Sequence, residues 1–237
     1  MESYLRNIKI IATDVDGTLT DQRRRLSITA IKAVRRLEEI GIPIMLISSQ
    51  SFPVLCGLAD YIGTSAPVIA ESGGVIGKSW EILYKAEKNF DEKLLTRIME
   101  KMGFIPKRHN VYRHVDFAFS RSEKSKKILE DEIKRVLAEN GITEVNVYDS
   151  GFAVHVTPKG VDKGTGLLRA LKLLGISIDN VLVIGDGKND VPMFKVAKIS
   201  LAPKNAAEEV KKLATVVSEK EDGDVLEEVV GFFSSKF

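Results

Sequence analysis

Short apolar runs of strand length alternate with segments of helical periodicity near the start of the chain. Residues 8–12, 42–47 and 68–70 are nearly unbroken apolar runs, which is typical of strands buried on both faces. Between the first two runs, Ser27 is a predicted N-cap for a helix that ends near Gly41. This β-α-β order predicts a parallel sheet covered by helices.

The same order returns in the last third of the chain. Asp162 is predicted to cap a leucine-rich helix that ends near Gly175, and residues 181–184 form the next buried strand. The predicted elements that follow are strands at residues 199–202 and 215–217, a helix between them capped by Asn205, and a last helix over residues 224–233.

The middle of the chain has a different pattern. Apolar and polar residues alternate through residues 111–119, which predicts a half-buried strand, and helical patterns cover residues 91–102 and 123–140. A predicted hairpin joins residues 145–148 to residues 152–156. The predicted fold class is therefore α/β, with a Rossmann-like parallel sheet and flanking helices over residues 1–80 and 158–237, and an inserted smaller α+β cap domain over residues 81–157.

Composition excludes several classes of protein. Of 237 residues, 44% are hydrophobic and 29% are charged, as in ordinary globular proteins. The 35 basic and 33 acidic residues leave a net charge of +2, which does not favour binding to nucleic acid or to a membrane surface. A single cysteine, Cys56, excludes an internal disulfide framework.

No apolar run approaches the ~18–20 residues of a membrane span. Residues 1–6 lack the order of a signal peptide, so a cytoplasmic protein is expected.

Two carboxylates directly follow the first predicted strand, in the run Asp14-Val15-Asp16-Gly17-Thr18. At positions i and i+2 after a strand, both can face the crevice above a parallel sheet, and Gly17 permits close approach of a ligand. The same fragment also occurs in surface turns and calcium loops. A calcium loop needs a glutamate six residues after the glycine, where this chain has Arg23, so calcium is disfavoured.

A second acidic loop, Gly185-Asp186-Gly187-Lys188-Asn189-Asp190, follows the strand at residues 181–184. Strands of a parallel sheet bring it to the same edge as Asp14 and Asp16. Four carboxylates in one crevice repel each other unless a counter-ion is present, and Mg²⁺ is the usual ion where phosphate is handled. The predicted metal ligands are Asp14, Asp16, Asp186 and Asp190.

Two further polar groups are predicted at this edge. Ser48-Ser49-Gln50 follows the second strand and offers hydroxyl groups and backbone amides. Lys163 begins the helix after Asp162, where the N-terminal amides favour an anion. A serine after a strand is usually a cap and a lysine in a first helical turn is usually solvated, so only the four motifs in order are specific.

In this order the four motifs resemble those of the haloacid dehalogenase superfamily of phosphohydrolases. The resemblance covers the whole chain, because the insertion between Ser48 and Lys163 matches the family's second type of cap. Glu71-Ser72-Gly73-Gly74 is similar to the turn before the cap in the Cof-like branch. Many Cof-like members have Thr-Gly-Arg where this chain has Ser48-Ser49-Gln50, so any role of that arginine is lost.

The resemblance implies Mg²⁺-dependent hydrolysis of a phosphomonoester through an aspartyl-phosphate. Asp14 would be the nucleophile and Asp16 the general acid and base. Mg²⁺ would bind the side chains of Asp14 and Asp186, the backbone carbonyl of Asp16, and Asp190 directly or through water. The residues expected to bind the substrate are Ser48, Ser49, Lys163, Asn189 and Thr18.

The cap is expected to select the substrate. Its candidate readers of the leaving group are Arg108, His109, Arg113, His114 and His155. The short cap and the total length resemble the archaeal phosphoglycolate phosphatases, which makes 2-phosphoglycolate the first expectation. The alternatives are a broader sugar-phosphate phosphatase, a phosphomutase of the same superfamily, and a non-catalytic protein that binds a phosphorylated ligand. The expected partner is a small phosphorylated metabolite, without nucleic acid or membrane, and a homodimer is left open.

Overall fold

Two β-sheets organise the part of the chain that the computed structural model describes, residues 7–21 and 23–234. Residues 1–6, which were expected to lack a signal peptide, lie outside the described residues. Within the described ranges, no helix has the length and apolar character needed to cross a membrane.

The strands are β1 Ile10–Asp14, β2 Ile44–Ile47, β3 Val68–Ala70, β4 Val75–Lys78, β5 Glu81–Lys85, β6 Phe104–Pro106, β7 Phe117–Arg121, β8 Val145–Asp149, β9 Val154–Pro158, β10 Val181–Ile184, β11 Ile199–Ala202 and β12 Val216–Val217. The α-helices are α1 Ile28–Glu39, α2 Phe52–Ile62, α3 Glu92–Lys101, α4 Glu130–Glu139, α5 Lys163–Leu174, α6 Val191–Val196, α7 Glu208–Leu213 and α8 Val225–Ser234.

The large sheet has the strand order β12-β11-β10-β1-β2-β3-β4-β5. The strands from β12 to β3 pair in parallel, and β3, β4 and β5 pair antiparallel. This sheet, its flanking helices and a separate antiparallel sheet confirm the predicted α/β class. The predicted domain boundary after residue 80 falls inside the β4–β5 hairpin, so the chain leaves the large sheet only after Lys85.

Both faces of the large sheet are covered, which explains its unbroken apolar strands. In β2, Ile44 and Leu46 point into one hydrophobic cluster, with helices α1, α2 and α8. The alternate residues Met45 and Ile47 point into the other cluster, with α5, α6 and α7. Successive side chains of a strand face opposite sides, so a strand between two helix layers needs apolar residues at every position.

The inserted region forms a four-stranded antiparallel sheet in the order β6-β7-β9-β8. Helices α3 and α4 pack on one of its faces through a separate hydrophobic cluster that includes Leu95, Phe119 and Leu137. The predicted hairpin is present as β8 and β9, which pair from Val145 with Pro158 to Asp149 with Val154.

The predicted strand over residues 111–119 is wrong for its first half. A 3₁₀-helix covers Arg108–Tyr112, and β7 begins only at Phe117. The side-chain amide of Asn110 donates to the carbonyl of Ala118 and accepts from its N–H, both at 2.9 Å. The asparagine thereby substitutes for the backbone of a strand partner, which a pattern of apolar residues does not reveal.

Two predicted helices are shorter than expected. The helix predicted from residue 123 begins at Glu130, because the Arg121 guanidinium donates to the carbonyls of Ser125 and Ile128 and holds the preceding turns. The helix predicted to be capped by Asn205 begins at Glu208. The Asn205 side chain instead donates to the carbonyl of Gly17, 3.0 Å away, and accepts from the N–H of Asp222.

Gly73 joins the turn after β3 to the start of α5. Its φ is +103°, and a Cβ at this position would lie 2.0 Å from the carbonyl oxygen of Asp162. We expect Gly73→Ala to lower the free energy of unfolding by about 3 kcal/mol or more, because a clash with backbone adds to the strain of a left-handed alanine.

Gly63 is the matched control, since its φ is +92° and a Cβ at this position would have nothing within 4 Å. Gly63→Ala should lower the free energy of unfolding by only ~1–2 kcal/mol. Urea unfolding followed by circular dichroism measures both values. Equal losses in the two variants would contradict the close contact between Gly73 and Asp162.

Candidate active site

The predicted chemical groups meet where β1, β2 and β10 end. These three strands are neighbours and run parallel, with Thr13 paired to Ile184 and Asp14 paired to Ile47. Asp14 is the last residue of β1, Ser48 directly follows β2, and Asp186 lies two residues after β10. The parallel register therefore brings groups that are far apart in sequence to one edge of the sheet.

Three carboxylates and one lysine form the centre of this edge. One carboxylate oxygen from each of Asp14, Asp186 and Asp190 lies within 4.8 Å of the others. The Nζ of Lys163, at the N-terminus of α5, is 2.7 Å from Oδ1 of Asp14 and 2.6 Å from Oδ1 of Asp190. The lysine is only 1% exposed. One buried cation faces three carboxylates, so the cluster has fewer positive groups than negative ones.

This charge deficit changes the acidity of the cluster. Burial raises the pKa of Asp14 well above its usual range, and repulsion from Asp190 adds to this although Lys163 opposes it. Burial and then repulsion from Asp190 raise the pKa of Asp186 to about 7. Burial alone would lower the pKa of Lys163, but Asp14 and Asp190 raise it above its usual value. The lysine stays charged, and the carboxylates need a further cation or a proton.

The donor set fits a hard divalent cation with oxygen ligands. Among the described residues, no hydrogen bond reaches Oδ2 of Asp14 or Oδ2 of Asp186. Asp190 differs, because its Oδ1 accepts from Lys163 and its Oδ2 accepts from the N–H groups of Asp186 and Gly187, each at 2.9 Å. Asp14 and Asp186 thus each keep an oxygen for an ion, while Asp190 uses both of its oxygens to bind Lys163 and the backbone of the loop at residues 186–187.

Gly17 has no side chain for a steric reason. Its φ is +85°, and a Cβ there would lie 2.3 Å from Oδ2 of Asp186. Glycine at this positive φ lets the two acidic loops approach each other without strain. The adjacent Thr18 is fully buried, and its hydroxyl donates to Oδ1 of Asp186 at 2.9 Å. Thr18 therefore contacts Asp186 and does not line the cavity above it.

Asp16 lies apart from the three clustered carboxylates. Its Oδ1 accepts from the Nε of Arg24 and its Oδ2 from the side-chain amide of Gln50, both at 2.9 Å. Gln50 occupies the position of the arginine in the Thr-Gly-Arg pattern. The Arg24 guanidinium also lies 5.0 Å from the centre of the Phe152 ring in the cap. Asp16 is consequently held by two donors at the boundary between core and cap.

A cavity of about 310 Å³ opens above these groups, between the large sheet and the cap. Among the predicted site residues, those that line it are Asp14, Asp16, Ser48, Ser49, Asp186 and Asn189. The side chain of Asn189 donates to the Ser49 hydroxyl at 3.4 Å, and the Ser48 hydroxyl accepts from the N–H of Gln50 at 3.1 Å. Lys163, Asp190 and Thr18 lie beneath the cavity wall.

The cap contributes basic residues to the same cavity. Three of its five predicted readers line it, namely His109, Arg113 and His155, together with Lys107. Burial, followed by the charges of Arg113 and Lys107, lowers the pKa of His109. Arg108 and His114 do not line this cavity, and the His114 ring packs edge-on against Phe52.

Three functional contacts were missed from the sequence. Arg24 contacts Asp16, Asn205 contacts the backbone of Gly17, and Glu71 binds the cap. The carboxylate of Glu71 accepts from the backbone N–H groups of residues 114, 115 and 116 at 2.7 to 3.1 Å. Each contact joins segments that local patterns treat separately, and only the Glu71 turn had a signal, through its resemblance to the turn before the cap.

Comparisons with known proteins identify the family of the chain. The family model of haloacid dehalogenase-like hydrolases matches residues 11–130 and 104–230. The chain is 35% identical over 229 residues to a phosphoglycolate phosphatase of Picrophilus torridus, covering 95% of this chain and 92% of that one. It is 33% identical over 227 residues to a phosphoglycolate phosphatase of Methanopyrus kandleri, covering 91% and 92%. A crystal structure of a Thermoplasma acidophilum protein aligns with a TM-score of 0.85 and 26% identity, over 96% of this chain and 98% of that one. The predicted family resemblance is confirmed.

The raised pKa of Asp186 predicts how the stability of the metal-free protein depends on pH. Between its usual pKa of 3.8 and about 7, the folded state holds a proton that the unfolded state has released. The stability contribution of this group is therefore lost as the pH rises through that window. In EDTA at pH 8, Asp186→Asn should have a melting temperature several degrees above that of the unsubstituted protein. This difference in melting temperature should become smaller towards pH 4.

Differential scanning calorimetry measures this gap, with Asp131→Asn on the exposed face of α4 as the control for a lost charge. Addition of a divalent cation at pH 8 should raise the melting temperature of the unsubstituted protein much more than that of Asp186→Asn. A metal-free Asp186→Asn protein that melts at or below the unsubstituted protein at pH 8 would refute the charge deficit.

Proposed function

The chain belongs to the haloacid dehalogenase-like hydrolases, and on that premise we propose that it is an Mg²⁺-dependent phosphomonoester hydrolase that cleaves 2-phosphoglycolate to glycolate and phosphate. The observation that carries the proposal is the meeting of Asp14, Asp186 and Lys163 at one sheet edge, with Asp16 on the wall of the cavity above them. The relatives, which are phosphoglycolate phosphatases by name, support the substrate.

The proposed reaction proceeds in two displacements at phosphorus. Uncatalysed phosphomonoester hydrolysis is among the slowest reactions known, with enzymatic enhancements up to ~10²¹-fold, and a carboxylate nucleophile divides it into two easier steps. An oxygen of Asp14 attacks phosphorus, the ester P–O bond breaks, and its electron pair leaves on the glycolate oxygen, which takes a proton from Asp16. Water then attacks the aspartyl-phosphate, Asp16 takes the proton of that water, and inorganic phosphate leaves with the Asp14 carboxylate restored.

The resting contacts support these two roles. Lys163 donates to Oδ1 of Asp14, which orients this carboxylate at the base of the cavity. Gln50 and Arg24 hold one oxygen each of Asp16, so that its carboxyl group stays at the boundary between the nucleophile and the cap, where the leaving group has to lie. A general acid works only within hydrogen-bond reach of the atom it protonates, and this positioning supplies that proximity.

Asp14 and Asp186 would hold Mg²⁺ through their side-chain carboxylates, with the backbone carbonyl of Asp16. Asp190, whose two oxygens already accept from Lys163 and from the loop amides, would act through water. When bound, the ion neutralises the charge of the phosphoryl oxygens and of the nucleophile, which otherwise repel each other. Thr18, through its hydrogen bond to Asp186, would fix this ligand rather than contact the substrate itself.

The phosphoryl oxygens would be bound by the groups on the other side of the cavity. The Ser48 and Ser49 hydroxyls and the Asn189 amide are polar, line the cavity and lie next to Asp14 or Asp186 in the fold. Their hydrogen bonds to one another and to the Gln50 amide hold them in place before the substrate arrives. Donors that are already oriented stabilise developing charge without further reorganisation.

Asp14→Asn tests the nucleophile. Asparagine preserves the shape of the side chain but cannot form the acyl-phosphate, so release of phosphate from p-nitrophenyl phosphate in Mg²⁺ should fall at least ~10³-fold. Asp131→Asn, which removes an equal charge on the exposed face of α4, should keep its activity. A folded Asp14→Asn protein with unchanged turnover would exclude Asp14 as the nucleophile.

A substrate panel tests the specificity. Purified protein with Mg²⁺ should give a kcat/KM for 2-phosphoglycolate at least ~10-fold above those for glucose 6-phosphate, fructose 6-phosphate and mannose 6-phosphate, because the cavity of about 310 Å³ is near the lower end of ligand sites. Phosphate release and isomer formation are measured together, so that a phosphomutase is detected. Equal or higher values for the hexose phosphates would favour a broader sugar-phosphate phosphatase.

A further inference from the structure

The charges that line the cavity are divided between core and cap. Every carboxylate on the described cavity wall comes from the core, and every ionisable residue that the cap contributes there is basic. The core carboxylates are Asp14, Asp16, Asp21, Asp186 and Asp222, and the cap residues are Lys107, His109, Arg113 and His155. A substrate whose phosphate lies at the acidic side with a cation therefore presents its leaving group to positive charge.

His155 belongs to the cap wall, by which we mean the cap residues that line the cavity, and a buried carboxylate holds its ring in place. The residue is 4% exposed, and its Nδ1 lies 2.8 Å from Oδ2 of Asp116. Burial opposes ionisation of Asp116, but Arg113 and His155 outweigh it and hold its pKa below the usual value. An ionised carboxylate only accepts hydrogen bonds, so Nδ1 carries a proton. Among the described residues nothing bonds to Nε2, which donates to an anionic ligand when the ring is protonated on both nitrogens, the form that the subsite requires.

Arg113 provides a second group with unused donors. Its Nη1 lies 3.0 Å from Oδ2 of Asp116 and donates to the carbonyl of Ser49, also at 3.0 Å. Its Nε is buried without a hydrogen-bond partner in the described residues. A buried N–H without a partner is unfavourable and is rare in folded proteins. Arg113 lines the cavity, so its guanidinium places positive charge next to an anionic group bound there.

The cap wall is held at a fixed place relative to the phosphate-binding loop. Glu71, directly after β3, accepts three consecutive backbone N–H groups of the cap, and Arg113 contacts the backbone of Ser49. These contacts connect the segment that contains Arg113 and Asp116 to the loop that begins with Ser48. The basic residues of the cap therefore face the same cavity as the acidic cluster from a position that these contacts define.

We propose that Lys107, Arg113 and His155 form a binding subsite for a negatively charged group, of the carboxylate class, on the leaving part of the substrate. The inference rests on the proposed phosphomonoester hydrolase function and adds the residues that determine its specificity. Arg113 and His155 are oriented by Asp116, and Lys107 adds a charge at the rim of the cavity.

Three two-carbon phosphates of similar size test the subsite, since they differ in the charge of the leaving group. They are 2-phosphoglycolate, 2-hydroxyethyl phosphate and phosphoethanolamine, with a carboxylate, a hydroxyl and an ammonium group. The unsubstituted protein should show the highest kcat/KM for 2-phosphoglycolate and the lowest for phosphoethanolamine. Its ratio of 2-phosphoglycolate to 2-hydroxyethyl phosphate should be at least ~10.

Lys107→Met and Arg108→Met form a matched pair, because they remove the same charge from adjacent positions of which only Lys107 lines the cavity. The ratio of 2-phosphoglycolate to 2-hydroxyethyl phosphate should fall several-fold in Lys107→Met, through KM for the acid, and stay constant in Arg108→Met. His155→Asn, which can keep the hydrogen bond to Asp116 but lacks Nε2, should lower the ratio ~10-fold. Melting temperatures verify that each variant is folded. If His155→Asn does not fold, the comparison of Lys107→Met with Arg108→Met tests the subsite by itself.

The two levels of the hypothesis fail in different ways. If none of the three phosphates is hydrolysed, the proposed function fails and the subsite with it. If 2-phosphoglycolate is hydrolysed but 2-hydroxyethyl phosphate is hydrolysed equally well, or if the ratio is the same in Lys107→Met and Arg108→Met, the subsite inference is overturned while the hydrolase function stands.

Discussion

The buried ion pairs of Lys163 constrain the rest of this structure. An ammonium group that is removed from water needs carboxylates close by, and Asp14 and Asp190 supply them from two separate segments of the chain. Three elements must therefore meet at one point: the end of β1, the start of α5, and the turn before α6. Asp162 caps α5 through the Thr165 N–H at 2.7 Å, and Gly73 packs against the Asp162 carbonyl, so the helix start is fixed on both sides.

The same cluster is unfavourable for stability when no further cation is bound. Burial and mutual repulsion raise the pKa of Asp14 and of Asp186, which means that the fold works against their ionisation near neutral pH. The hydrophobic clusters on both faces of the large sheet stabilise the fold and offset this unfavourable burial of carboxylates. A site that binds a dication and a phosphate ester needs unbalanced charge before they arrive, and functional sites commonly sacrifice stability in this way.

The sequence predicted the core better than the cap, for a physical reason. Strands buried on both faces are apolar at every position, and parallel pairing then brings the residues after β1, β2 and β10 to one edge, so Asp14, Ser48 and Asp186 could be placed together. The cap depends on side chains that replace backbone partners. Asn110 pairs with both backbone groups of Ala118, and Arg121 holds the turns that periodicity assigned to a helix. Such contacts follow from tertiary proximity, which local patterns do not contain.

The attachment of the cap relates its charges to the chemistry of the core. Glu71 is a buried carboxylate whose pKa is raised by burial and by Asp116, yet three backbone N–H groups of the cap offset part of that penalty. The cap segment that satisfies Glu71 includes Asp116, and Asp116 in turn holds His155 and Arg113. One chain of contacts thus extends from the end of β3 to the basic groups above the cavity. In the reaction proposed above, the core determines where the phosphate ester reacts, and through Glu71 it also positions the cap groups that would contact the leaving group.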